Sequence, residues 1–298
     1  MVKKLVVRLK GGLGNQMFQY AMSRALALRN GADLVLDTWT GFMRDTQYRR
    51  NYELGTLPIK GHNANPLEVI PVFLKGFEDR LVNECSNWLC NRPYGIFINE
   101  TKFEFLEEVY NFQMNKSCWV SGYWQSPKYF KNCEYLIEKE LLPPEPADNK
   151  FAALGEKMHR EQSVAVGIRL YEESNDPAAH SRDGRIKAIR EINNVVEKIA
   201  VSVPNSVFYV FCTHKNRILK ELKCPSVMKF ITHDDGFMGT VERLWLLTQC
   251  RHHIMNNSSF YWWGAWLSSV AHKGKKQIVF AADNFWNKDI LPRGWNLF

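Results

Sequence analysis

A glycine-rich stretch near the start of the chain constrains the fold more than any other feature of the sequence. Residues 11–21 read Gly-Gly-Leu-Gly-Asn-Gln-Met-Phe-Gln-Tyr-Ala. An apolar, β-branched run at residues 4–9 precedes them, and apolar residues then recur at helical spacing as far as Gly31. This order predicts a strand, a glycine turn and a helix whose first backbone N–H groups can face a phosphate or hydroxyl oxygen. A tight turn without a ligand explains the same glycines, so both interpretations stay open.

The same stretch partly matches the dinucleotide-binding fingerprint. Gly12 and Gly14 fit its first two glycines, and Asp37 follows the next predicted strand, where the acid that binds the ribose would lie. A methionine replaces the third glycine, so the close packing of helix on strand is not provided. Asn15 and Gln16 instead bring two amides to the helix start, and amides both donate and accept, which suits sugar hydroxyls. An NAD(P)-dependent oxidoreductase therefore remains an alternative to a sugar-binding enzyme.

The second half of the chain has the pattern of a parallel sheet. Three prolines within residues 140–148 mark a linker, which predicts an N-terminal domain at 1–145 and a C-terminal domain at 146–298. Strands alternating with helices predict an α/β fold with helices on both faces of the sheet. The predicted strands are 164–170, 207–212 and 227–231, and the predicted helices are 186–201, 215–222 and 240–249.

Ligands of such sheets bind beyond the carboxyl ends of the strands. Arg169, Thr213, His214 and His233 all follow predicted strands and are therefore expected at one rim of the C-terminal sheet.

Composition and charge exclude several classes of protein. There is no apolar run of about 18 residues and no cleavable signal, so a soluble, cytoplasmic protein is expected. Seven cysteines without paired C-x-x-C spacing indicate reduced thiols. The formal charge of +8 suits an anionic partner such as a nucleotide-sugar, and peripheral contact with an anionic membrane stays open. The basic clusters lack the aromatic interleaving of a nucleic-acid binder, so no nucleic acid is expected.

Two further stretches carry recognisable patterns. Residues 119–130 contain Gly-Tyr-Trp-Gln-Ser, which fits either an aromatic packing segment or a ligand contact. Residues 250–267 place Asn257, Ser258 and Ser259 before an aromatic helix. Asn and Ser are ordinary helix caps, and they could equally orient the first amides of that helix toward a phosphate.

All three stretches, 11–21, 119–130 and 250–267, resemble motifs of the bacterial-type α-1,2-fucosyltransferases of glycosyltransferase family 11, in the family's order. The resemblance implies a GT-B-like fold of two Rossmann-like domains, with the donor site in the C-terminal domain and the acceptor against the N-terminal one. It implies an inverting enzyme that transfers L-fucose from GDP-β-L-fucose to the 2-hydroxyl of a terminal β-galactose. The acceptor would be an oligosaccharide or polysaccharide precursor such as an O-antigen.

One family motif is degraded in this chain. Members carry a His-x-Arg-Arg-Gly-Asp-like strand end, whereas here Gly167 stands at the histidine, Leu170 at the second arginine and Glu172 at the acid. The first arginine survives as Arg169. The missing positive charge could come from Arg182 or Arg185 in the following loop. The losses leave a catalytically inactive glycan-binding homologue as a further alternative.

The chemistry of this transfer assigns roles to individual residues. Arg169 and the helix start at Ser258 and Ser259 are expected to stabilise the leaving phosphate, and Asn15 and Gln16 to position fucose and acceptor. Glu172 is the expected base among the carboxylates near predicted strand ends, which also include Glu173, Asp176 and Asp37, and a donor phosphate oxygen is the alternative proton acceptor. No Asp-x-Asp occurs, so neither a metal nor another cofactor is expected beside the donor substrate. The expected donor contacts are Gly12, Gly14, Gln16, Thr213, His214, Asn257, Ser258 and Ser259.

Overall fold

In the computed structural model the described residues are 2–43, 45–81, 88–170, 186–285 and 287–298. They divide into two compact units, and each contains one six-stranded sheet within this described part. The first unit comprises Met1–Leu141 and Trp286–Ile290, and the second comprises Leu142–Phe285 and Leu291–Phe298. The sequence predicts a division close to that after Leu141, but it assigns residues 286–290 to the C-terminal domain. They belong to the first unit instead.

The sheet of the first unit has the strand order β3-β2-β1-β6-β5-β4. Neighbouring strands are parallel except for the antiparallel pair β4 and β5. β1 and β6 are parallel neighbours near the centre of the sheet, so the segments that follow them begin at the same rim. The elements are β1 (Lys4–Arg8), α1 (Leu13–Asn30), β2 (Asp33–Asp37), β3 (His62–Asn63), α2 (Pro66–Leu81), β4 (Leu89–Arg92), β5 (Gly95–Asn99), α3 (Glu107–Tyr110), β6 (Cys118–Ser121) and α4 (Glu134–Leu141).

The sheet of the second unit is parallel throughout its described strands, in the order β12-β11-β10-β7-β8-β9. Its switch point lies between β7 and β10. The elements are α5 (Asn149–Arg160), β7 (Gln162–Gly167), α6 (Ile189–Ser202), β8 (Ser206–Phe211), β9 (Val227–Ile231), α7 (Thr240–Gln249), β10 (His252–Met255), α8 (Ser259–Ala271), β11 (Val279–Ala281) and β12 (Asn296–Leu297).

Burial explains why these segments form their elements. Helix α1 is buried on most of its surface, including Met17, Phe18 and Met22, because it packs against β1 and β2. It ends where the sequence predicts, since Gly31 adopts a left-handed conformation with φ of 56° and its N–H caps the last carbonyls. In the second unit the apolar side chains of β7, β8 and α6 form one continuous core.

Two predicted elements differ from the structure. The strand predicted at 164–170 ends at Gly167, because the backbone N–H of Arg169 donates to the side chain of Asn256 and no longer continues the strand pairing. The helix predicted at 215–222 is only a short 3-10 helix, Arg217–Glu221, whose start Asn216 caps. Within the described residues, no helix is both long and apolar enough to cross a bilayer.

Candidate active site

Two of the three motifs meet at the rim formed by the carboxyl ends of β1 and β6 in the first unit. The glycine turn follows β1, and residues 122–125 follow β6. The Oδ1 atom of Asn15, in the first turn of α1, accepts a hydrogen bond of 2.8 Å from Nε2 of Gln125. The backbone carbonyl of Gln125 accepts one of 2.8 Å from Nδ2 of Asn287, which lies in the segment returning from the second unit. Side-chain amides from three distant parts of the sequence therefore lie together at this rim.

A partly buried carboxylate holds the turn after β6. Each oxygen of Glu100 accepts one backbone N–H at 2.7 Å, from Tyr123 and from Trp124. Trp124 has a φ of 55°, which a side chain of this size rarely adopts, so these charge-assisted bonds stabilise a strained turn. Burial raises the pKa of Glu100 and lowers the pKa of Lys10, whose Nζ lies 4.5 Å from the ring centre of Tyr123.

Glu100, Lys10, Gln125 and Asn287 are absent from the sequence-based site predictions. An acid directly after the apolar run at 95–98 is a usable signal for Glu100, and Gln125 lies inside a motif that the resemblance already marks. Asn287 has no such signal, because its neighbours in the site are far away in the sequence.

Gln16, a predicted donor contact, is buried, and the hydrogen bonds of its side chain go to the protein itself. Its Nε2 donates to the carbonyls of Gly11 and Asn51, and its Oε1 accepts from the N–H groups of Glu53 and Leu54. A glutamine amide has two donor hydrogens and two acceptor sites, so these four bonds use its full capacity. Gln16 therefore fixes residues 51–54 against α1 and leaves nothing for a ligand.

The neighbouring glycines form the start of α1. Gly11 has a φ of 75°, and Gly12 is the residue that precedes the helix. A Cβ added to Gly12 would lie 3.8 Å from the guanidinium carbon of Arg50, so this cation closely approaches the helix start. Gly14 is buried in the first turn. Contact of Gly12 or Gly14 with a donor stays a prediction.

The carboxylate of Asp37 is committed to its own turn. It is fully buried, and it accepts hydrogen bonds from the N–H groups of Trp39 and Thr40 and from the Thr40 hydroxyl. A ribose-binding acid would need its oxygens available for two sugar hydroxyls. This arrangement speaks against the oxidoreductase alternative.

The surviving arginine and the third motif meet at the switch point of the second unit. Asn256, which follows β10, accepts from the backbone N–H of Arg169 at 2.9 Å and donates to its carbonyl at 3.2 Å. Two residues later the hydroxyl of Ser258 caps α8 by accepting from the N–H of Tyr261. Arg169 is therefore held beside the start of a 13-residue helix, with Ser259 in its first turn. A guanidinium and a helix N-terminus both favour a bound anion.

Other predicted donor contacts at this rim form hydrogen bonds within the protein, and their contact with a donor stays a prediction. The side chain of Asn257 donates to the carbonyl of Asn284 at 3.0 Å. Thr213 follows β8, and its carbonyl accepts from the N–H of His233 at 2.9 Å. His214 lies 2.9 Å from Asp234. Because β8 is not one of the two strands at the switch point, Thr213 and His214 lie beside it rather than at it.

A buried arginine that the sequence does not single out supports this side of the rim. Arg243 of α7 donates to the carbonyl of Cys212 at 2.8 Å, and its Nη1 lies 3.0 Å from Nε2 of His233. Burial and the Arg243 charge lower the pKa of His233, so its imidazole is neutral at neutral pH.

The structure also explains the glycine that replaces the family histidine. The ring of Tyr261 lies against Gly167, so a Cβ at position 167 would fall 2.5 Å from that ring. The Tyr261 hydroxyl donates to the carbonyl of Phe211 at 2.9 Å, which fixes the ring in place. Tyr261 therefore fills the space that a side chain at position 167 would need.

Five predicted residues, Glu172, Glu173, Asp176, Arg182 and Arg185, lie outside the described residues. Across the ranges that are described, no three His, Cys, Asp or Glu side chains are arranged to hold a metal ion. His252 and His253 are buried in β10, where one accepts from the backbone N–H of Ile278 and the other contacts the carbonyl of Cys250.

Known proteins resemble this chain along most of its length. The sequence model of glycosyl transferase family 11 matches residues 97–297. An α-1,2-colitosyltransferase from Escherichia coli is 28% identical over 273 residues, which cover 89% of this chain and 88% of the relative. The O-antigen biosynthesis glycosyltransferase WbnK, also from Escherichia coli, is 25% identical over 292 residues, covering 89% of this chain and 90% of WbnK.

Solved structures agree on the architecture. NodZ from Bradyrhizobium, an α-1,6-fucosyltransferase co-crystallized with GDP, superposes with a TM-score of 0.53 at 15% identity, over 90% of this chain and 93% of NodZ. A substituted Arabidopsis thaliana FUT1 in complex with GDP gives a TM-score of 0.50 at 12% identity, over 95% of this chain and 71% of FUT1. These likenesses confirm the predicted α/β, GT-B-like fold.

Proposed function

Because this chain belongs to glycosyltransferase family 11, we propose that it transfers L-fucose from GDP-β-L-fucose to the 2-hydroxyl of a terminal β-galactose, with inversion at the anomeric carbon. The proposal depends mainly on the arrangement of residues at the switch point of the second unit. There the backbone of Arg169 is clamped by Asn256 beside the capped start of α8. Charge that develops on a departing diphosphate needs such a preorganised cation and such N–H donors.

The donor assignment is supported by what related structures contain. NodZ was crystallised with GDP and soaked with GDP-fucose, and FUT1 was solved with GDP. In this proposal the guanidinium of Arg169 and the α8 start, with Ser258 and Ser259, take the place that a metal ion holds in other glycosyltransferases. The reaction then needs no metal cofactor.

The acceptor side of the proposal rests on the first unit. Asn15 holds the side-chain amide of Gln125 at the carboxyl ends of β1 and β6, where amide groups can orient sugar hydroxyls by donating and accepting at once. Glu172 is the proposed base, and a phosphate oxygen of the donor is the alternative proton acceptor.

A second donor is favoured by one comparison. The colitosyltransferase relative shares the α-1,2 linkage in its name, and colitose is L-fucose without the 3-hydroxyl. GDP-colitose is therefore the competing donor.

The test is to incubate the purified chain with GDP-fucose or GDP-colitose and a panel of β-galactosides in excess EDTA. We expect GDP release that depends on the galactoside, and a product with an α-1,2 linkage by NMR. Galactoside binding without transfer would identify an inactive glycan-binding homologue, and NAD binding without GDP binding would identify an oxidoreductase. Activity that EDTA abolishes and manganese restores would contradict the metal-free mechanism.

We also propose that the protein acts in the cytoplasm and contacts an anionic membrane peripherally. The chain carries a charge of +8, and large apolar side chains are exposed along α2 and the loop beside it. The rings of Trp39 and Phe73 lie 5.7 Å apart, which joins the two segments into one surface. Sedimentation with anionic but not with neutral vesicles is expected, and equal recovery with both would refute this location. The exposed residues are Trp39, Met43, Leu67, Ile70, Phe73 and Leu74.

A further inference from the structure

A cavity of about 230 Å³ lies in the first unit, between one face of the sheet and helix α2. The strand register arranges its wall in two levels, because side chains two residues apart share a face. Val6, Trp119 and Phe97 are aligned across neighbouring strands and form the deeper level. Two residues further along each strand, Arg8, Ser121 and Asn99 form a polar level at the carboxyl ends.

The deeper level is apolar and mainly aromatic. The rings of Phe97 and Trp119 are stacked, with centroids 5.5 Å apart and planes inclined by 26°. Nε1 of Trp119 donates to the carbonyl of Glu68 at 2.7 Å, so the indole is fixed in orientation. A rigid aromatic surface of this kind suits the apolar C–H face of a pyranose ring.

The polar level has more hydrogen-bond donors than acceptors. Two N–H groups of the Arg8 guanidinium donate to Thr40, and its others have no acceptor within the described part of the chain. Lys75 of α2 adds a second positive charge. Asp37 also borders the cavity, but the hydrogen bonds of its carboxylate already go to the turn at residues 39–40.

The amide of Asn99 is also unmatched. Its Nδ2 is buried, and the described residues offer it no hydrogen-bond partner. Buried polar groups are nearly always paired, so an unpaired amide in a cavity wall calls for an explanation. Rotation of the amide about its terminal torsion would let it either donate to or accept from a ligand.

We propose that this cavity binds a pyranose of the acceptor glycan that carries a carboxylate or an acetamido group, and that this sugar is not the galactose that receives the transferred residue. The ring lies on Trp119 and Phe97, and the oxygens of the substituent accept hydrogen bonds from Arg8 and Asn99. That the sugar belongs to the acceptor glycan rests on the proposed function, whereas the proposal of a sugar-binding site rests on the cavity and its lining residues. The site would make the enzyme select its acceptor by the sugar next to the galactose.

Ligand-observed NMR on the full chain tests the site without any donor. The probes are methyl β-D-glucuronide and methyl N-acetyl-β-D-glucosaminide, with methyl β-D-glucoside as the matched sugar that lacks both groups. We expect one or both of the first two to bind about tenfold more tightly than the glucoside, which is the size expected for one hydrogen bond to a charged group. Binding by only one of them identifies which substituent the site recognises.

Two variants locate the binding. Asn99→Leu removes the amide, and Val72→Phe fills the cavity from α2 without altering the sheet. Each variant should abolish the preference for the substituted glycosides over the glucoside. Asn91→Leu makes the same change as the first variant at an exposed position of β4 and should retain it. Equal binding of all three glycosides to the wild type, or a preference that survives in Val72→Phe, would overturn the proposal. GDP binding measured on the same samples reports on the proposed function separately, so the two can fail independently.

Discussion

At the scale of single residues, two adjacent amides of the first motif have opposite roles. The side chain of Gln16 forms all its hydrogen bonds with backbone groups of the protein. The side chain of Asn15 instead accepts a hydrogen bond from Gln125 at the rim of the first sheet. The sequence cannot separate the two roles, because both residues are amides at a helix start. The difference arises from residues 51–54, which fold over Gln16 and exclude it from solvent.

Substitution of these two amides should therefore give different defects. Asn15→Ala should reduce turnover strongly and leave GDP affinity unchanged, since the nucleotide is proposed to bind the second unit. Gln16→Ala should lower the free energy of unfolding by about 3 kcal/mol, because it leaves buried backbone groups without partners. Turnover kinetics, GDP titration and urea unfolding of both variants provide the comparison. A collapse of GDP binding in Asn15→Ala would contradict its acceptor-side role.

Arg169 is the residue for which charge and geometry can be separated. Arg169→Lys keeps the charge but loses the planar fork that grips two phosphate oxygens. If Arg169 stabilises the leaving group, turnover should fall by about 100-fold or more, as for the loss of one preorganised donor. The melting temperature should stay the same. A fully active variant, or one inactive only because it unfolds, would assign Arg169 to the scaffold and favour Arg182 or Arg185 instead.

At the scale of elements, the end of β7 packs directly against the start of α8. Gly167 gives room to the ring of Tyr261, and Asn256 replaces the strand pairing that stops there. The sequence reveals that a family histidine is missing at position 167, but it does not reveal the cause, because Tyr261 is far along the chain. The alternation of strands and helices was easier to predict, since each element shows its own periodicity.

The contact between Gly167 and Tyr261 gives a coupled prediction. Gly167→Ala should destabilise the second unit by about 2 kcal/mol, as expected for overpacking, because its Cβ would overlap the tyrosine ring. Tyr261→Ala creates space, so the double variant should lose less stability than the two single variants together. Thermal unfolding of the four proteins measures this coupling. Strictly additive losses would show that the ring does not restrict position 167.

At the scale of the whole molecule, the second unit contains buried histidines in β10 and directly after α8. Burial lowers the pKa of His252 and of His272 to about 4 and that of His253 to about 3. The ring of His272 stacks on His159 at 4.5 Å. These imidazoles are neutral in the folded protein, whereas the unfolded chain takes up protons below a pH of about 6.5.

Stability of the second unit should therefore depend on pH. It should be fully present above a pH of about 6.5 and decline as the pH falls toward 4, by up to about 1.4 kcal/mol per pH unit for each histidine. Urea unfolding at a series of pH values measures the slope. His253→Gln should make the slope smaller, because the glutamine amide can still donate to the carbonyl of Cys250 but does not titrate. The control variant His62→Gln, at an exposed position, should leave the slope unchanged. An unchanged slope in His253→Gln would show that His253 does not contribute to the pH dependence of stability.

The return of the chain to the first unit limits how the protein can be dissected. Asp289 accepts from the backbone N–H of Phe105 and pairs with Lys128, and Asn287 donates to Gln125. A fragment that ends at Leu141 would lack these partners, although it would contain every strand of the first sheet that the structure describes. Expression of isolated halves would therefore yield an N-terminal half with an incomplete acceptor-side rim. Adding residues 286–290 to such a fragment, as a synthetic peptide or fused after residue 141, should restore the rim.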